Sequence, residues 1–171
     1  MTRLLLVNAH YYPDVHLAAT ANKLTDLAEY LSSQGYAVDV LTGPSANGRT
    51  GRDSHNDVAI HRVWSTRFGK KGILGRLVDY ATLLISITLF ILRSRGIRGI
   101  VFLTTPPLLP VVGMIVNRFR RIPYAVWSMD LHPDAEIAAG MLDGGSLIAR
   151  LLCALNYAAY READFVIALG S

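Results

Sequence analysis

Short apolar runs alternate with longer segments of helical periodicity along nearly the whole chain, and few folds accommodate that alternation. Residues 3–8, 37–42, 58–64, 99–104, 124–129 and 164–169 read as strands. Their near-continuous apolar character suits strands covered on both faces, as in a parallel sheet. Between them, residues 18–34 place Leu24, Leu27, Ala28 and Leu31 at helical spacing, and Gly35 stops the helix. A long apolar helix spans 72–95 and ends at Gly96. Another follows Pro106-Pro107 and runs to about residue 119, with Pro110 in its first turn, where no N–H is needed. Ser146 caps a last helix whose apolar face carries Ile148, Leu151, Leu152, Leu155 and Ala159. This order predicts a single α/β domain over residues 1–171, a doubly wound, Rossmann-like parallel sheet. Residues 43–56, rich in Gly, Ser, Asn and Arg, read as a surface loop. Residues 130–145 read as loop with one short helical stretch.

Composition removes several classes of function. With 51% apolar and 18% charged residues the chain is no disordered segment. One cysteine, Cys153, excludes an internal disulfide framework and suits a reducing compartment; it lies in an apolar helix and reads as an inert packing residue. The five histidines (10, 16, 55, 61 and 132) have no metal-ligand spacing, so no metal is expected. The turn after the first strand holds no glycine between Asn8 and Gly35, and no GxxxxGK[ST] motif occurs. A dinucleotide fingerprint and a P-loop are therefore both absent, and no cofactor is expected. Nothing beyond a pI of about 9.4 points to nucleic acid.

In doubly wound sheets, ligands sit outside the carboxyl ends of the strands. Three of those ends are chemically loaded. The first strand runs into Asn8-Ala9-His10-Tyr11-Tyr12-Pro13-Asp14, the fourth into Thr104-Thr105-Pro106-Pro107, and the fifth into Asp130-Leu131-His132-Pro133-Asp134. Asp130 and His132 suit orientation of a hydroxyl or acceptance of its proton; the plainer alternative makes Asp130 a turn cap. Tyr11, Tyr12 and Asp14 offer aromatic faces and a carboxylate to a ligand, with packing of the loop on its neighbours as the alternative. Thr20 reads as a binding hydroxyl or a helix N-cap. Thr104 and Thr105 offer hydroxyls to a ligand or simply precede the next helix. Trp127, inside the fifth strand, reads as core.

The stretch HYYPDVHLAATANKLTDLAEYLSSQGYAVDVLTG resembles the N-terminal domain of family 4 glycosyltransferases of the GT-B fold. The resemblance rests on Tyr11, Tyr12, Pro13, Asp14, Ala19, Thr20 and Leu24 to Ala28. It continues through His61-Arg62-Val63-Trp64, TTPPLLP at 104–110, VWSMDLHPD at 126–134 and READFVIALGS at 161–171. It implies a retaining transferase, of the subgroup that builds bacterial exopolysaccharide and O-antigen units. Such an enzyme moves a sugar from a nucleotide-sugar donor to a lipid-linked or glycan acceptor. Asp130 and His132 would then lie near the reaction centre, with acceptor alignment as their role, and Tyr11, Tyr12, Asp14, Thr20, Thr104 and Thr105 would bind the acceptor. Where many members carry a Gly pair, this chain has His16-Leu17-Ala18-Ala19. The family's Glu-x7-Glu donor motif, which belongs to a second domain, is missing: the only glutamates are Glu29, Glu136 and Glu162. The resemblance thus implies the acceptor half of an enzyme, inactive by itself. A non-catalytic truncated module serving as a membrane or protein adaptor is the rival reading.

Charge position bears on localisation. Residues 62–121 hold 11 of the 17 basic residues and a single acid, Asp79. They surround the greasiest helix, whose longest uncharged stretch, residues 80–92, is shorter than the roughly 20 residues that cross a bilayer. Arg67, Lys70, Lys71 and Arg76 are expected to meet an anionic membrane surface, with the protein peripheral on the cytoplasmic face. Residues 1–7 do not read as a signal peptide.

Overall fold

A computed structural model describes residues 2–14, 19–69, 72–138, 140 and 142–168. Lys70 and Lys71 lie outside the described residues. The elements in chain order are β1 (Arg3–Val7), α1 (Ala19–Ser33), β2 (Ala37–Thr42), β3 (Gly51–His55), β4 (Val58–Arg62) and α2 (Ile73–Arg93). Then come β5 (Gly99–Leu103), α3 (Leu109–Arg120), β6 (Tyr124–Ser128), α4 (Asp134–Ala138), α5 (Leu147–Glu162) and β7 (Phe165–Ala168). One sheet has the order β3-β4-β2-β1-β5-β6-β7, and only the β3–β4 pair is antiparallel. The doubly wound α/β expectation therefore holds.

Alternation along β1 divides the core in two, because successive side chains point to opposite faces. Leu5 and Val7 join Ile100, Phe102, Tyr124 and Val126 beneath α2 and α3. Leu6 joins Val38, Val40, Val58 and Ile60 beneath Leu24 and Ala28 of α1. Trp127 is half-buried against this second cluster. The tightest approach lies in the first. A Cβ on Gly113 of α3 would stand 2.6 Å from Tyr124 Cδ2 and 2.9 Å from Phe102 Cε2. Only glycine lets the helix lie this close to the sheet.

Residues 43–56 are more ordered than expected. Gly51–His55 forms an edge strand, joined to β4 by Asn56 and Asp57, whose φ angles are 46° and 63°. Two consecutive left-handed residues make the primed turn that matches strand twist, and Asn and Asp tolerate that conformation well. Conversely, β4 stops at Arg62, leaving Trp64 outside it and 59% exposed.

Helix α2 is long and apolar enough to cross a membrane by length and composition, with a mean hydropathy of 1.6 over its best window. It instead lies along the sheet and buries Leu83, Ile87 and Ile91 there. The opposite face, with Leu74, Leu77, Val78, Ile85 and Leu89, remains exposed. At the start of α5, Ser146 caps as its position predicts, accepting from the Ala149 N–H at 3.1 Å.

Candidate functional site at the carboxyl edge of the sheet

The parallel strands β1, β2, β4, β5 and β6 all end on one edge, and backbone bonds knit those ends together. Ala9 N–H donates to Thr105 O at 2.9 Å, while Ala9 O accepts from Gly43 N–H at 3.1 Å and from the Thr42 hydroxyl at 3.0 Å. A Cβ on Gly43 would stand 3.0 Å from that same oxygen. Asn8, fully buried, donates through Nδ2 to His10 O at 2.9 Å and reaches Thr20 Oγ1 at 3.4 Å. The loop that leaves β1 is thereby fixed in direction.

Between this loop, the turn after β2 and the first turns of α2 opens a cleft of about 890 Å³. His10, Ser45, Thr66, Arg67, Arg76 and Tyr80 line it, together with Asp79. Burial pushes the His10 imidazole below its ordinary pKa, against the pull of Asp14, so the ring is neutral at pH 7 and able both to donate and to accept. The rim is tied to α2. Phe68 N–H donates to Asp79 Oδ1 at 2.8 Å, Thr66 N–H donates to Thr82 Oγ1 at 3.1 Å, and a Cβ on Gly75 would fall 2.2 Å from Phe68 O. Burial acts to raise the Asp79 carboxyl; the hydrogen bonds from Phe68, Thr66 and Gly69 and the charge of Arg67 outweigh it and keep the group ionised.

Further along the same edge, Thr104 joins β5 to β6. Its buried hydroxyl oxygen accepts from Met129 N–H at 3.2 Å and Asp130 N–H at 3.0 Å. Asp130 then projects from the end of β6 with an exposed carboxylate that has no partner among the described residues. It caps nothing there. His132 is half-buried, and its carbonyl accepts from Asn156 Nδ2 of α5 at 2.5 Å. Strands β1 and β6 flank β5, so the loop of His10 and that of Asp130 are two strand spacings apart, roughly 10 Å.

The other expected residues are distributed differently. Tyr11 is fully buried in the cluster under α1, so its ring packs the core rather than walling a sugar site. Tyr12 is exposed but turns toward the β3–β4 hairpin, where it stacks on His55 with centroids 3.6 Å apart. That hairpin lies on the other side of β1 from Asp130. Asp14, also buried, accepts from Ala46 N–H at 2.9 Å and pins the turn after β2. Thr20 sits inside the first turn of α1 rather than at its N-cap. Thr105 is half-buried and contributes its carbonyl to Ala9. Arg67 and Arg76, expected at a membrane, line the cleft, and Arg67 donates to Ala46 O at 2.5 Å. His10 had carried no assigned role, though its strand-end position was the available signal. Among the described residues no cluster of His, Cys, Asp or Glu could hold a metal.

The burial of Tyr11 can be tested. Its hydroxyl has no partner within 3.5 Å among the described residues, and burial, partly offset by the nearby Thr25 hydroxyl, raises its pKa to about 12. Tyr11→Phe should leave stability at pH 7 within about 0.5 kcal/mol of the parent or raise it. A raised phenol pKa contributes stability that is present below pH 10 and lost as pH rises toward 12, so the variant should resist alkali better. Chemical denaturation at neutral and alkaline pH measures both.

The model of the glycosyl transferase 4-like domain family matches residues 19–171, most of the chain. The chain belongs to that family. Solved structures agree on the fold. Sucrose-phosphate synthase from Thermosynechococcus elongatus superposes with a TM-score of 0.64 at 14% identity, over 97% of this chain and 42% of that one. LpCGTa in complex with UDP superposes with a TM-score of 0.66 at 12% identity, over 99% of this chain and 47% of that one. This glycosyl transferase 4-like domain thus spans less than half the length of either structure. No curated protein sequence matches it.

Proposed function

We propose that the chain is the acceptor-side domain of a retaining glycosyltransferase. It passes a sugar from a nucleotide-sugar to a lipid-linked or glycan acceptor during surface polysaccharide synthesis, and a second domain of similar size supplies the donor site. The observation that carries this reading, beside the family match, is the unpartnered Asp130 carboxylate at the end of β6, on the edge that also bears the His10 cleft. A carboxylate there aligns an acceptor hydroxyl and draws on its proton as the glycosidic bond forms and the bond from the sugar to the nucleotide's phosphate breaks, releasing the nucleotide. Thr104 positions Asp130 through its backbone N–H and does not itself need to touch the acceptor. Neutral His10 and Arg67 offer hydrogen bonds to acceptor hydroxyls or phosphate in the cleft. The test is a transfer assay comparing the 171-residue chain alone with the same chain joined to a donor-binding domain.

The domain works at the cytoplasmic face of the membrane. Supporting this is the exposed apolar stripe Leu74, Leu77, Val78, Ile85 and Leu89 along α2, with Arg67, Lys70, Lys71 and Arg76 near its start. Such a stripe dips into the interface while nearby cations meet anionic headgroups, each contributing on the order of 1 kcal/mol. Anionic vesicles should therefore sediment the protein, less so at high salt. Changing those four basic residues to Glu should reduce the bound fraction; unchanged sedimentation would remove the membrane contact.

A further inference from the structure

The far end of α2 carries a second concavity. A groove of about 700 Å³ runs between the last turns of α2 and the β3–β4 hairpin, lined by Arg3, Arg52, His61, Trp64, Arg93 and Arg95. Its lining on α2 starts at Ser86, about one turn beyond Leu83, where the lining of the His10 cleft ends. Four separate segments each bring a guanidinium to it: the start of β1, β3, the end of α2 and the loop that follows. Among the described residues no acidic one lines it. Arg3 is already committed, donating to Asp39 at 2.6 Å and to Arg95 O at 2.8 Å. Arg52, Arg93 and Arg95 have no ion-pair partner among the described residues.

Two features lack an explanation in folding alone. The first is His61, only 5% exposed, with neither ring nitrogen hydrogen-bonded among the described residues. Its Nε2 stands 3.7 Å from Asp39, within ion-pair reach, and its ring lies against Phe90. Its Nδ1 has no such partner among the described residues, and a buried ring nitrogen left unpaired is costly and uncommon. The second is β3, which buries none of its residues in the core. Its antiparallel register nonetheless sets Arg52 directly opposite His61, and residues paired across strands share a face. Cations at a helix C-terminus complement the helix dipole, which accounts for Arg93 but not for Arg52 on a different element.

We propose that this groove is a binding site for a phosphate-bearing ligand, held between Arg52, Arg93 and Arg95 with His61 at its floor. Guanidinium forks match phosphate oxygens in pairs, and the volume suits a phosphate or diphosphate with a small organic group. Trp64, 59% exposed at the rim, offers a flat face to that group. The site does not rest on the transferase reading. The phosphate belongs either to a soluble compound or to an anionic lipid headgroup, whose chains would lie along the α2 stripe that reaches the rim at Leu89.

Trp64 gives a direct readout, because the only other tryptophan is Trp127. In a Trp127→Phe background, inorganic pyrophosphate should change Trp64 fluorescence saturably. Arg52→Gln, an exposed edge substitution that leaves the core intact, should weaken binding, and Arg93→Glu/Arg95→Glu should raise half-saturation by about tenfold or more. Arg150→Glu/Arg161→Glu, an equal charge change on α5, should leave it unaltered. No saturable change, or an equal shift in the α5 control, would overturn the proposal. Vesicles of phosphatidylcholine with and without phosphatidylglycerol separate the sources. Binding to the anionic vesicles that pyrophosphate displaces, and that Arg52→Gln weakens, identifies the headgroup; saturable pyrophosphate binding without vesicle competition identifies a soluble phosphate.

Discussion

Asp130→Asn, in a protein that includes the donor domain, should lower glycosyl transfer by well over tenfold while leaving the melting temperature unchanged. The substitution keeps the size of the side chain and removes its charge. Because the carboxylate has no partner among the described residues and is exposed, no fold-stabilising contact is lost. Its backbone N–H still donates to Thr104 Oγ1, so the loop keeps its course. What changes is the ability to align an acceptor hydroxyl and draw on its proton, an effect commonly worth about 10²–10⁴ in rate. Near-normal turnover would make Asp130 a bystander at the strand end.

Gly113→Leu should have the largest effect on stability. Gly113 lies on α3 over the Tyr124 and Phe102 rings, and the first side-chain carbon alone would meet Tyr124 at 2.6 Å. Tyr124 cannot retreat: it is 2% exposed, its hydroxyl donates to Ala159 O at 2.5 Å, and it meets Phe102 edge-on with centroids 6.1 Å apart. Leucine must therefore push α3 off the sheet. Overpacking of this kind costs about 3 kcal/mol, more than the ~1 kcal/mol gained from removing a helical glycine. The net loss of about 2 kcal/mol should lower the melting temperature by roughly 4–8 °C in a domain of this size. A smaller shift in thermal unfolding would mean that the helix–sheet spacing gives more easily than its packing indicates.

The strands most legible in the sequence were those with the most to bury. Residues 3–8, 99–104 and 124–129 are apolar on alternating faces, and the observed strands lie inside those limits. β3 was not legible because Arg52, Asp53 and Ser54 bury nothing; its trace was the Asn56-Asp57 turn rather than any hydrophobic period. The end of β4 was overrun because Val63 and Trp64 look like strand, whereas its pairing with β2 stops at the Thr42–Arg62 register. The carboxyl edge was legible as a place, since polar residues follow three apolar runs. The orientation of each side chain on it was not. Whether Tyr11 or Tyr12 faces outward depends on the rotation of the chain as it leaves β1, and Asn8 sets that rotation by bonding back to His10 O and to Thr20 of α1. The place of Arg67 in the cleft was likewise not legible, because its bond to Ala46 O joins segments 21 residues apart in the chain.

The division of labour proposed for this domain is tested most directly by one assay of sugar transfer from a nucleotide-sugar to a membrane-extracted acceptor pool. The purified 171-residue chain should form no product, and the same chain joined to a donor-binding domain should form it. Product from the 171-residue chain alone would contradict the assignment of the donor site to a second domain.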